Sequence, residues 1–187
     1  EGDRFIIRRT KNGDTGMLQN QVLLPEAGNA QIEKVGGKGK EFWVFGTNYP
    51  NDALPNRPDD ANERGAWRVE VSPAVPAAEN YFLNVMQVAD NTCKRMNDVK
   101  RIDAGKVVGV QIADRIVTFS KNSLPLSGKI DMKVDGNTSM KFVITDLIPG
   151  TWQIKKDGKV YIPAMEVRSD DGILSFEGTA GHYEFLR

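Results

Sequence analysis

One histidine and one cysteine stand in the chain: His182 beside Tyr183, and Cys93 between Thr92 and Lys94. Both are residue types that do chemistry. An imidazole titrates near neutrality and moves protons, and a thiolate attacks carbonyl carbon or binds metal. Neither has a partner at motif spacing. Lys94 and Arg95 are cations that would lower the thiol's pKa, against the alternative of a buried, inert cysteine. A zinc site takes three or four ligands, and imidazole and thiol here number two in all. Carboxylates are plentiful, yet no Asp or Glu pair is singled out by spacing for acid–base hydrolysis. We therefore assign no catalytic residue, no metal ligand and no cofactor, and read His182 as a strand histidine with a satisfied hydrogen bond.

Binding chemistry is better represented. Gly36-Gly37-Lys38-Gly39-Lys40 looks at first like a phosphate-cradling loop. It lacks the closing Lys-Ser/Thr, and Glu41 to Phe45 reads as a strand where a phosphate loop needs a helix. A tight turn is the reading, with a basic lip facing an anionic glycan as its functional counterpart. Asp59, Asp60 and Glu63 could hold calcium through carboxylate oxygens, but without the alternating spacing of a calcium loop they read as solvated charge. Aromatic rings matter because sugars stack on them. Trp67 and Trp152 fall on the apolar parity of their strands and read as core. Phe42, Trp43 and Phe45 cannot all point to one face. Trp43 and Tyr49, near Lys38 and Lys40, form the candidate glycan contact; core packing or contact with a neighbouring domain is the alternative for each ring.

The composition sets the frame for these residues. The chain has 187 residues, 40% hydrophobic and 27% charged, which suits a globular protein with a real core. Its 25 basic and 25 acidic residues balance, so no bulk field draws it to nucleic acid or a membrane surface, and polyanion binding must come from a local patch. The longest apolar runs fall far short of the roughly 20 residues of a membrane span. A single cysteine excludes an intrachain disulfide and leaves the compartment open.

Short β-prone runs separated by turn residues fill the sequence. Arg4–Thr10 ends at Asn12-Gly13, a strong hairpin signal, and Met17–Leu24 follows as its partner. Gln31–Val35 and Glu41–Phe45 continue a meander. Thr47–Glu63, with three prolines, reads as a long loop. Trp67, Val69 and Val71 alternate with polar residues, the period of a half-buried strand. Tyr81–Val88 is apolar on both parities and so is expected mid-sheet, covered on both faces, while Ser72–Asn80 is the loop before it. Asp90–Ile102 is either a short helix opening at Asp90-Asn91-Thr92 or a crossing loop. Lys106–Ile112 and Arg115–Ser120 flank Ala113-Asp114. Ile130–Val134, Met140–Ile144, Trp152–Lys155, Val160–Ile162, Ile173–Phe176 and His182–Leu186 complete the set, with Asp157-Gly158 as the clearest two-residue turn. The expectation is an all-β protein: one domain over 1–187, a two-layer antiparallel β-sandwich of about 12–14 short strands.

Several of these stretches carry a resemblance. Gly36–Trp43, Asn48-Tyr49-Pro50, Trp67–Pro73 and Tyr81–Val85 resemble the C-terminal β-sandwich region of heparinase II/III-like polysaccharide lyases. Val22-Leu23-Leu24-Pro25 and Phe176–Gly181 extend the likeness over most of the chain. It is most specific between Gly36 and Val88 and weak from Asn91 to Ile130. What it implies is a scaffold without catalytic residues of its own. Such a lyase removes the proton beside a uronate carboxylate with Tyr or His, and the family's helical toroid supplies much of that machinery. The implied partners are the upstream catalytic domain of the same protein and an anionic polysaccharide, in the periplasm or outside the cell. That the chain begins with Glu1 rather than methionine suits either a processed protein or part of a larger one. The alternative function is a free-standing carbohydrate-binding or interaction module.

Overall fold

The computed structural model of the protein describes residues 3–49, 67–122 and 124–187. Sixteen strands and no helix lie among them. The chain divides into two compact units, one of residues 1–7 and 19–86, the other of residues 8–18 and 87–187. From position 50 onward, the long loop expected at Thr47–Glu63 and its cluster of Asp59, Asp60 and Glu63 lie outside the described residues.

The second unit holds a β-sandwich. One sheet has five strands in the order β15 (Leu174–Gly178), β12 (Met140–Ile144), β10 (Arg115–Ser120), β9 (Val107–Ile112), β8 (Val99–Ala104). The other has four, in the order β11 (Ile130–Val134), β16 (Gly181–Leu186), β13 (Gly150–Lys156), β14 (Lys159–Val167). Thus β16, the last strand in sequence, is interior, hydrogen-bonded to β11 on one side and β13 on the other.

Burial follows the pleat. β11 and β15 alternate buried and exposed at every residue, so each sheet has a dry and a wet face. The dry faces meet over Phe142, Trp152, Ile154, Phe176, Tyr183 and Phe185. Phe142 stacks on its cross-strand neighbour Phe176 with ring centroids 4.7 Å apart. Trp152 is sealed, and its indole N–H donates to the Ile148 carbonyl at 3.1 Å. At the margins β8 approaches β11 and β14 approaches β15, so the two layers meet at both sides.

Local chemistry explains the turns. Ala113-Asp114 joins β9 to β10, and Asp157-Gly158 joins β13 to β14. Ala113, Asp157 and Gly158 have φ of 48°, 52° and 78°, the left-handed geometry whose twist suits a two-residue hairpin. Asp157 Oδ1 also accepts the His182 backbone N–H at 2.9 Å, fastening this turn to β16. Asp90 does not open a helix. Its Oδ1 accepts the Thr92 N–H at 2.8 Å, a local turn.

The sandwich departs from pure antiparallel pairing at one place: β10 and β12 run parallel. The chain leaves β10 for β11 in the opposite sheet, and two reversals return it as β12 in its starting direction. The strand covered on both faces is β9. Val107 joins the core while Val108 and Val110 are buried on the opposite side. Between them, a Cβ on Gly109 would lie 2.1 Å from the Val117 carbonyl oxygen, so only glycine fits.

The first unit is built differently. β3 (Ala30–Gly36) pairs antiparallel with β6 (Trp67–Pro73), and β4 (Trp43–Val44) with β5 (Thr47–Asn48). β1 (Arg4–Lys11), β2 (Asp14–Leu24) and β7 (Leu83–Asp90) make a three-stranded sheet in the order β1-β2-β7. Val22 and Val35 are the buried hydrophobic side chains among this unit's described residues.

Two expectations are corrected here. Trp67 is 52% exposed instead of core, because its strand belongs to a two-stranded ribbon with β3. The strand expected mid-sheet, β7, is an edge strand: Met86 and Val88 are 63% and 81% exposed, and Tyr81 and Phe82 precede it.

Candidate functional site

The candidate site lies in the first unit and is assembled by a ribbon, a turn and a small hairpin. In the β3–β6 ribbon Gly36 pairs with Trp67 and Lys34 with Val69, which puts Lys34 and Trp67 on one face as diagonal neighbours. The Lys34 ammonium sits 3.8 Å from the Trp67 ring centroid. The ring is held from beneath by Gly37: a Cβ there would stand 2.6 Å from Trp67 Cη2. The other face of the ribbon is acidic, with Glu33 opposite Glu70. Arg68 relieves that repulsion, its Nε donating to Glu70 Oε1 at 2.6 Å.

The glycine-rich stretch is a tight turn, as expected. Lys40 N–H donates to Gly37 O at 2.8 Å, and Gly39 takes a φ of 77° at the turn's third position, where a type II turn requires glycine. The turn delivers Lys40 to Trp43, with the ammonium 5.0 Å from the ring centroid. Trp43 then begins the β4–β5 hairpin, whose tip is Phe45-Gly46 at φ 47° and 83°. Phe45 is fully exposed there. Asn48 Oδ1 accepts the Phe42 N–H at 2.9 Å and closes the hairpin's base.

These elements enclose a cleft of about 620 Å³. Lys34, Lys40, Trp43 and Trp67 line it together with Glu33, Arg68, Glu70 and the hairpin tip. Of the four residues nominated from sequence, Trp43 and Lys40 are therefore brought together. Lys38 stays on the exposed outer side of the turn, and Tyr49, also exposed, bonds through its backbone to Phe42; neither lines the cleft. Lys34, Trp67 and Arg68 escaped sequence reasoning. The signal for Lys34 was its register diagonal to a strand tryptophan, which only the β3–β6 pairing reveals.

The histidine, its neighbouring tyrosine and the cysteine are elsewhere, in the second unit. His182 Nε2 hydrogen-bonds Asp131 Oδ1 on the exposed face of the four-stranded sheet. That bond, with help from Lys129, holds the Asp131 carboxyl below the usual carboxylate range. Tyr183 points the other way into the core, donating its hydroxyl to Thr179 O at 2.5 Å. Burial pushes its phenol up to about 12, so it stays neutral. Cys93 Sγ donates to Arg95 O at 3.3 Å, while the Arg95 guanidinium engages Asp98. Among the described residues no three His, Cys, Asp or Glu side chains gather to hold a metal.

Residues 101–187 match the family described as the heparinase II C-terminal domain. The match covers a little less than half of the chain. The matched segment starts within β8 and takes in the rest of both sheets of the sandwich, including Asp131, His182 and Tyr183. Its span differs from where the sequence likeness looks strongest: Gly36–Val88 falls outside the match, and part of the weak Asn91–Ile130 stretch falls inside. The cleft precedes the matched segment in the chain. No curated protein matches the chain.

Proposed function

We propose that residues 1–187 act together as the non-catalytic C-terminal β-sandwich of a heparinase II/III-like polysaccharide lyase, which buttresses the catalytic part of the same protein and contacts an anionic glycan. The family match supports the class of protein. The observation that carries the supporting role is the apolar surface of the first unit. Ile6, Ile7, Phe82 and Met86 lie exposed on or beside the edge strands β1 and β7, and Phe45 and Tyr49 are exposed near the hairpin. Large apolar side chains exposed on edge strands are open to being covered by a partner. The settings of His182, on a flat outer sheet face, and of Tyr183, sealed in the core, support structural roles for both. A periplasmic or extracellular location belongs to the same reading, since polymeric substrates are met there.

The test compares the chain with the full-length gene product on uronate polysaccharides. The chain alone should yield no unsaturated product, and its binding of a hydrophobic dye should drop when the preceding region is joined to it. Cleavage by the chain itself would sink the non-catalytic reading. Dye binding undiminished in the longer protein would sink the supporting role and leave the free-standing module, which the cleft favours.

A further inference from the structure

We propose that the cleft of the first unit is a site for an anionic sugar chain, in which Lys34 and Lys40 rest on the Trp67 and Trp43 rings and leave them to bind a carboxylate or sulfate. The idea rests on reading the chain as part of an anionic-glycan lyase and names the surface that would meet the glycan.

Each ammonium is 3.8 to 5.0 Å from an indole centroid, within the range where a ring's quadrupole holds a cation. Among the described residues neither has a carboxylate partner, whereas Arg68 is committed to Glu70. A cation over an exposed ring is held weakly; a charge-assisted hydrogen bond to an anionic oxygen is stronger. An incoming carboxylate or sulfate therefore draws the lysines off the rings. The uncovered indoles then offer flat apolar surface to the C–H side of a pyranose. Charge and ring are recognised in one movement, and a neutral sugar, which must displace the ammonium without replacing its partner, is disfavoured.

The rest of the cleft agrees with this. Its volume, about 620 Å³, suits a few sugar units. Glu33 and Glu70 line the cleft as well, and Arg68 is paired with Glu70, so the cations left for an anionic oxygen are Lys34 and Lys40. Gly37 fixes the height of the Trp67 ring.

Tryptophan emission gives a direct readout. The chain has three tryptophans, and Trp152 is fully buried, so a ligand-induced change reports Trp43 and Trp67. Heparin, hyaluronan, dextran and inorganic sulfate are titrated into the chain. Heparin and hyaluronan should shift the emission and bind in a salt-sensitive way, while dextran does neither. The double variant K34Q/K40Q should bind both polyanions roughly tenfold or more weakly with an unchanged melting temperature, and Lys129→Gln, in the second unit, should bind like the parent. Unchanged affinity in K34Q/K40Q would move the glycan surface elsewhere, and no binding by the parent would abolish it; both leave the supporting role to its own test. Dextran binding as tightly as hyaluronan would overturn the requirement for charge. A full response to sulfate alone would make this a simple anion site and overturn the glycan.

Discussion

The Thr118 hydroxyl is 1% exposed and has no hydrogen-bond partner among the described residues. It points into the dry side of β10 beside Ile116, opposite Gly109. A buried hydroxyl without a partner costs about 1–3 kcal/mol of desolvation, and an apolar group of the same shape avoids that cost. Thr118→Val should therefore stabilise the protein by about 1 kcal/mol, raising the melting temperature by roughly 2–4 °C. A fall in calorimetric melting temperature would show that the hydroxyl is satisfied in solution. The contrast between Trp152 and Trp67 belongs at this scale too. Both sit on the apolar parity of a strand, yet one is sealed and the other half exposed. Parity tells which residues share a face. It does not tell whether another layer lies over that face, and for Trp67 the neighbour is instead a lysine on the adjacent strand.

At the scale of elements, the turn chemistry was the most readable part. Asn12-Gly13 and Asp157-Gly158 were identifiable from residue type and Ala113-Asp114 from the strand-like runs on either side of it, and the strands around the last two fall where the pattern puts them. The position of β7 was not readable, because an apolar run on both parities describes a covered central strand and an edge strand awaiting cover equally well. The β11–β16 pair carries a testable electrostatic consequence. The Asp131 carboxyl is held below its ordinary 3.8 first by His182 and then by Lys129. A carboxyl depressed in the folded state contributes stability above its unfolded value and loses it as pH falls through the folded value. Asp131→Asn should thus lower the urea midpoint relative to the parent at about pH 5, with the gap closing toward about pH 2. A gap that stays constant across that range would rule out the carboxylate as its source. Because these groups are exposed, the effect is small.

For the whole molecule, burial is unevenly distributed between the two units. The sandwich owns the aromatic core, whereas the first unit buries Val22 and Val35 together with Asn20 and Gln21, whose side-chain oxygens have no partner. Local stability follows buried apolar contact and satisfied polar groups. Amide exchange should be slowest in β10, β12, β13 and β16 and faster by roughly a hundredfold or more in β3 and β6. Equal protection across both would mean that the first unit is cored more completely than its described residues indicate. The all-β class was legible throughout, since no stretch carries a helical period. The cleft was legible only in half, because Trp43 and Lys40 are close in sequence while Lys34 and Trp67 meet through strand pairing.

The interior place of β16 has a consequence for how the protein is made. Synthesis runs from the first residue to the last, so β11 and β13 leave the ribosome before the strand that separates them in the sheet. Until residues 181–186 emerge, the four-stranded sheet has a gap at its centre, and Tyr183 and Phe185 are missing from the core. The nascent chain must hold its other apolar strands apart, or have them held, for the whole of that interval. Closure of the four-stranded sheet waits on β16.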